Sequence, residues 1–470
     1  SATRYYVERW PDLPPARRGP ARRAGNDRQR LDVCDTCDKI ASHSAGAAGA
    51  LRSRAMSSSR RDPSRRDVVR GGLAATALGL VSTACARETR PGPSSPPAAP
   101  EPVKKRILIL GGTGFLGPKT IDAAIARGHE ITIFNRGKRE KFLPLEHDVT
   151  HLYGNRDPEL PADDERGPDG QLLRPDASPR GLEQLVGRQW DAVIDNSGYF
   201  PRHVKASAEL LAPNVGHYIF ISSISAYDEA SIPAAGGDET VKLAELADPT
   251  VETMGDQFQH YGGLKVLCER AAQAAFPGRA TIVRPGYIVG PGDPTDRFSY
   301  WPVRISKGGE VLAPGSPDDP LQWIDVRDLS EWLVKLVEDR TFGELHAVGP
   351  AEPARWGDVL TTCVERSGSD ARLTWVPARW LEENGAGEGA FPIWTAPEGK
   401  YAGFHRWENA RAEGAGLAFR SLDDTVTGIL DWYPKEIARR VRVTRELTEA
   451  AAAKGAPPPK GPPQIGRAHV

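Results

Sequence analysis

The sequence predicts a doubly wound parallel α/β sheet followed by a smaller C-terminal α/β lobe, and three stretches carry that prediction. First, RILILGGTGFLG (106–117) runs four apolar residues, Ile107 to Leu110, into a turn with glycines at 111, 114 and 117. A run that is apolar on both faces suits a strand covered on both sides of a parallel sheet. Second, HYIFISS (217–223) is another such run, closed by two serines. Third, YGGLKVL opens a helix on which Tyr261 and Lys265, four residues apart, share one face.

Length and charge set the frame for these elements. The chain has 470 residues, 39% hydrophobic, with a net charge of −1. That is long enough for a two-lobed enzyme, and the charge does not advertise a nucleic-acid partner. Of five cysteines, Cys34 and Cys37 form a lone CxxC with no second ligand pair at zinc spacing, so no metal site is expected.

Residues 1–55 are polar, Arg-rich and aperiodic, and are read as upstream translated or disordered sequence ahead of a start at Met56. Residues 56–86 carry Ser64-Arg65-Arg66 and a mildly apolar stretch, Gly71 to Ala84, that is too short to span a membrane. They look like a twin-arginine export signal. Cys85 fits a lipobox, where a lipid would anchor the protein to a membrane, while Ala84-Cys85-Ala86 fits a cleavage site. An exported protein, periplasmic or membrane-anchored, is expected, or a cytoplasmic one if the Arg pair is coincidental. Residues 87–103 are a Pro- and Ser-rich tether.

The core is expected over 104–435. A helix starting at Pro118 carries Ile121, Ala124 and Ile125; EITIFNRG (130–137), VTHLYG and WDAVIDNSGY (190–199) supply the next strands, with a Pro/Asp/Gly-rich loop at 158–181. TIVRPGYIVGPGD (281–293) is a strand and turn, and LQWIDVRDLSEWLVKLVED (321–339) a strand and helix. The substrate lobe is placed mainly at 292–320 and 346–434. Beyond Lys435 a charged helix and a Pro-rich tail are expected, the last six residues, IGRAHV, reading as translated sequencing adapter.

The glycine motif, the serines and Y-x-x-x-K, in that order, resemble the extended short-chain dehydrogenase/reductase superfamily, in its NAD(P)-dependent epimerase/dehydratase branch, over roughly 104–433. The resemblance implies a Rossmann-type fold. It also implies a pyrophosphate cradle of Gly111, Thr113, Gly114, Phe115, Leu116 and Gly117 at a helix N-terminus. NAD-preferring relatives end the second strand in an acid, where this chain has Asn135 and Arg136. An Arg there can pair with a 2′-phosphate, so NADP is expected over NAD; otherwise Arg136 is a solvent-facing turn residue. Asp157 is expected near the adenine, Asn196 and Ser197 beside the cofactor, and Pro285 at the nicotinamide.

By the same resemblance Tyr261 is the general acid/base, Lys265 lowers its pKa and holds the nicotinamide ribose, and Ser223 hydrogen-bonds the substrate oxygen, with Ser222 as runner-up. A phenol with a free pKa near 10 is a poor base at neutral pH unless a cation stabilises the phenolate. Each residue alone has a plainer reading: a half-buried helix Tyr, a solvated Lys, a strand-end Ser. The 225–260 segment is read as a lid. Arg297, Tyr300 and Trp301, with Asp296 and Arg304, form a polar-aromatic cluster suited to a sugar or a phosphate, or else an amphipathic surface helix. Arg327 or Asp325 is a further candidate to face substrate. The expected activity is transient hydride transfer on a sugar or sugar-nucleotide, by a homodimer. The alternatives are an NADPH-dependent reductase of a non-sugar carbonyl and a non-catalytic RNA- or ligand-binding protein.

Overall fold

Arg106–Leu110 forms β1, and its four apolar residues are fully buried, as a run without polar alternation demands. The computed structural model describes residues 103–137, 144–159, 181–387, 389–453 and 455. The upstream segment, the signal with Cys85, most of the tether, the Cys34/Cys37 pair and the adapter-like tail lie outside the described residues.

After β1 come α1 (Leu116–Ala126), β2 (Glu130–Asn135), β3 (Thr150–Tyr153), β4 (Ala192–Asp195), α2 (Pro201–Leu211), β5 (Tyr218–Ile221), α3 (Tyr261–Ala275) and β6 (Ala280–Pro285). The second half holds β7 (Ile288–Val289), α4 (Tyr300–Ile305), β8 (Glu310–Pro314), β9 (Pro320–Asp325), α5 (Val326–Asp339), β10 (Gly343–Ala347), β11 (Gly349–Arg355), α6 (Trp356–Ser367) and β12 (Arg372–Val376). Three further helices follow, α7 (Ala378–Glu383), α8 (Ala410–Gly414) and α9 (Leu422–Ala453).

Seven parallel strands make the large sheet, in the order β10-β6-β5-β4-β1-β2-β3. Side chains alternate across it. Ile107 and Ile109 pack with α1 and α5, while Leu108 and Leu110 pack with α2 and α3. Each such side chain contributes about 1.5–3 kcal/mol on burial. The chain leaves β1 in one direction for β2 and β3, then returns past it for β4, β5 and β6. The strand order therefore reverses between β1 and β4, and a crevice opens there beyond their carboxyl ends.

The second lobe has two small sheets, β11-β9-β7 and the parallel pair β12-β8. Its core includes Trp301 and Trp356, both fully buried, with ring centroids 4.9 Å apart at 85°. Their indole N–H groups donate to Pro392 O (2.9 Å) and Pro314 O (3.1 Å). The charged helix expected after Lys435 is the continuation of α9, which runs through that boundary. It is fastened to the lobe: Arg440, buried, forks onto Asp296 and donates to Glu436 at 2.8 Å.

Candidate functional site

The crevice between β1 and β4 collects most of the residues expected around a cofactor. Gly111 leaves β1 with φ +88°, and a Cβ there would stand 2.7 Å from Ser197 Cβ, so the turn and the end of β4 approach closely only with glycine. A Cβ on Gly117 would meet Gly112 O at 2.3 Å, which explains why α1 can start two residues before Pro118. Gly114 faces open space apart from Gly111 O at 3.9 Å. Asn196 binds Leu110 O through its backbone N–H, and both polar atoms of its side-chain amide are buried without a partner among the described residues. A buried amide with nothing to bond is costly unless a ligand completes it. The open glycine face and this amide fit NAD(P).

The end of β2 is already occupied by its own side chains. Asn135 Nδ2 donates to Thr113 Oγ1 (3.1 Å), and its Oδ1 accepts from Gly137 N (3.1 Å) and lies 2.7 Å from His151 Nε2. Burial lowers the His151 pKa to about 4, so the ring is neutral and Nε2–H is the donor. Asn135 thus braces the glycine turn and has little capacity left for ribose hydroxyls. Arg136 beside it is exposed.

Asp157, expected near the adenine, has its carboxylate held by Arg202 and His203. Burial alone would raise that carboxyl, but Arg202, the Glu159 backbone N–H and His203 together keep it below its ordinary value. Its neighbour Arg156 is the residue sequence reasoning passed over. Buried, it forks onto Asp195 at 2.6 and 2.8 Å and reaches Ser207 Oγ (2.6 Å) and Ser197 Oγ (3.1 Å). The Tyr218 hydroxyl also donates to Asp195, at 2.7 Å. Burial pushes Asp195 up, and Arg156 reverses the shift to a net depression. Asp195, an acid ending the otherwise apolar β4, was the signal available for this pair.

The proton-transfer candidates meet one strand further on. Ser223 follows β5 and caps the turn Ile224–Ala226, its Oγ accepting from Ser225 N at 3.1 Å. Ser222 is buried and donates its hydroxyl to Glu269, which leaves Ser223 as the more accessible of the two. Tyr261 is the first residue of α3 and half-buried. A Cβ on its neighbour Gly262 would lie 2.0 Å from Ser225 O, so the start of α3 sits directly on the serine turn. Lys265, 3% exposed, is no solvated lysine. Its Nζ donates to Gly198 O (2.8 Å) and Ile221 O (2.6 Å), and burial lowers its pKa. An ammonium has three donors, so one remains. Glu269, another turn along, accepts the Arg284 fork at 3.0 and 2.7 Å, and Arg284 also donates to Tyr227 Oη at 2.9 Å. Pro285 ends β6 beside this group. The 225–260 segment, read as a lid, is anchored at its root, where Tyr227 pairs with Leu243 and Asp228 N donates to Lys242 O.

The substrate candidates divide. Trp301 is a core residue of the second lobe with its N–H committed, and Tyr300, 6% exposed, packs edge-on against it. Neither presents a face to a ligand, because α4 buries all six of its residues. Arg327 pairs with Asp325 at 2.9 and 2.7 Å, and Asp325 caps α5 as a helix N-cap should. Arg327 is therefore a fastening of α5. Arg297 is half-buried, its Nε on Thr295 Oγ1 (3.0 Å) and its guanidinium 5.0 Å from the Tyr287 ring centre. Among the described residues no His, Cys, Asp and Glu cluster could hold a metal ion.

Residues 107–348 match the model of the NAD dependent epimerase/dehydratase family. The chain belongs to that family. The family's description names NAD, in keeping with the nicotinamide cofactor expected from the sequence. The chain is 24% identical over 277 residues to the chloroplast stem-loop binding protein of 41 kDa b of Arabidopsis thaliana; the match spans 56% of this chain and 64% of that protein. To the epimerase family protein SDR39U1 of Bos taurus it is 26% identical over 267 residues, covering 52% of this chain and 75% of the relative. Among solved structures, the UDP-glucuronic acid 4-epimerase of Bacillus cereus in complex with NAD superposes with a TM-score of 0.49 at 14% identity, over 71% of this chain and 98% of that one.

Proposed function

We propose that the protein is an NADP-dependent epimerase or dehydratase of a sugar-derived small molecule. The observation that carries this reading is α3, whose start, beginning with Tyr261, lies on the Ser223 turn and whose Lys265 holds the Gly198 and Ile221 carbonyls. When bound, the nicotinamide supplies acceptance and return of hydride. The chain's own residues handle the proton. Ser223 holds the substrate oxygen, Tyr261 takes the hydroxyl proton as the C–H bond breaks and returns it when that bond reforms, and the Lys265 charge stabilises the phenolate between the two. The preference for NADP rests on Asn135, whose amide is committed to Thr113, Gly137 and His151, and on Arg136 exposed beside it.

The twin-arginine-like signal supports a self-restoring reaction, since a cofactor carried out with a folded protein is not replenished outside. The test is the nucleotide content of the protein expressed from Met56, denatured after dialysis and chromatographed. Stoichiometric NADP is the expected result. An empty protein that binds NADPH only loosely would favour a reductase of a non-sugar carbonyl. The name of the Arabidopsis relative supports a stem-loop RNA-binding reading, and filter binding of a stem-loop RNA at physiological salt by a cofactor-free protein would favour it.

A further inference from the structure

The segment that follows β6 crosses the whole reaction site. Gly286 lies against Ile224, the neighbour of Ser223, with its Cβ position 3.8 Å from Ile224 Cδ1. Six residues later Gly292 lies 3.3 Å, by the same measure, from the Phe115 ring of the glycine turn. Tyr287, Asp293 and Arg297 belong to this segment or its continuation, and two of them carry unused polar capacity. Asp293 is 1% exposed; its Oδ1 accepts from Thr295 N (2.8 Å) and Oγ1 (2.6 Å), while Oδ2 is buried with no partner among the described residues. Arg297 is held by Thr295 and lies over the Tyr287 ring; among the described residues no carboxylate pairs with its fork, and Asp293 acts on it through charge alone. Asp296, between them, is locked by Arg440 with φ +56°, so the segment is rigid where it presents these groups.

We propose that Arg297 and Asp293 grip a substrate that carries a carboxylate next to a hydroxyl, so that the site selects a sugar acid over a nucleoside diphosphate sugar. This rests on the redox reading above and narrows its substrate class. Charge sets this preference. Arg304 donates to Gly308 O and Glu310 O, Arg440 is matched by Asp296 and Glu436, and Arg327 by Asp325. Arg297 is the remaining basic side chain of this group. A planar guanidinium takes a carboxylate through two parallel hydrogen bonds. A diphosphate would bring more negative charge than one guanidinium matches and would set it beside Asp293 and Asp296. Burial raises the Asp293 carboxyl, and Arg297 and Arg440 oppose the rise, so the group tolerates an acid next to it better than an ordinary aspartate would. Its unpartnered oxygen serves the adjacent hydroxyl.

The test titrates the full chain, loaded with NADP, calorimetrically with glucuronate, galacturonate and gluconate, and with glucose and UDP-glucose. At least one acid should bind tenfold or more tightly than both glucose and UDP-glucose. Arg297→Gln should erase that margin, Arg297→Lys should keep part of it, and Tyr261→Phe should keep it whole. Tighter binding of UDP-glucose or glucose, a margin that survives Arg297→Gln, or no binding by any acid to cooperatively melting protein would each overturn the proposal. Cofactor content, read on the same samples, reports separately on the redox reading. A chain without NADP that still prefers acids would sink that reading and leave the grip standing.

Discussion

Tyr261 and Lys265 differ in what their removal should do, because one faces the crevice and the other ties it together. Tyr261→Phe deletes a proton-transfer group from a half-buried position. Turnover should fall by about 10²–10⁴-fold, with NADP content and melting temperature unchanged. Lys265→Met strands the Gly198 and Ile221 carbonyls and should lower both. Three histidines set an acid limit. Burial lowers His151, His217 and His405 to about 4 from the ordinary imidazole value of 6.5. The folded state thus holds them neutral while the unfolded chain protonates them. Stability is fully present above about pH 6.5 and is lost as pH falls from there towards 4. Melting temperature against pH should drop across that window, and His217→Gln, which can still reach Thr281, should flatten the drop. At this scale the sequence was readable where spacing is local: Gly111, Asn196, Tyr261 and Lys265 stand at the ends of elements that a few neighbours define. Trp301 was misread because what buries it, Trp356 and Pro392, lies 55 and 91 positions away.

At the scale of the element, α3 acts as a clamp across three strand ends. Tyr261, Lys265 and Glu269 recur every four residues on one face, against the turn after β5, the carbonyls after β4 and β5, and Arg284 of β6. The first two were legible in the sequence as Y-x-x-x-K; Glu269 was not, since its partners Ser222 and Arg284 are ordinary residues until the sheet brings them together. Removing one side of a buried ion pair costs about 3–5 kcal/mol, whereas losing one hydrogen bond to a charged group costs about 1–3. Urea denaturation should therefore show Glu269→Ala, which strands Arg284, destabilised well beyond Ser222→Ala. The same Ser222→Ala protein should retain most of its turnover, while Ser223→Ala should lose most of it together with only about 1 kcal/mol of stability, the amount its cap supplies. The reverse pattern would hand the substrate oxygen to Ser222.

For the whole molecule, the reversal of strand order puts cofactor residues on the large sheet, and the segment after β6 carries the chain into the second lobe. What holds that lobe's inner surface in place comes from α9, the last described helix. The parallel sheet was legible because both-face burial leaves an unbroken apolar run. The bracing by α9 was not, since Glu436 and Arg440 look like solvent charges until Asp296 stands opposite them. Arg440→Ala removes a guanidinium from two buried carboxylates, and about 3–5 kcal/mol of stability should go with it. Asp296 would then have no counter-charge for its left-handed backbone position, and Arg297 beside it would lose its fixed direction. The Gly111 turn, Asn196 and Lys265 make no bond to α9. At a temperature where the variant stays folded, nucleotide content should therefore match the native protein while affinity for carboxylated ligands falls. Loss of NADP together with ligand binding would mean that α9 holds the two lobes as one unit, not the second lobe alone.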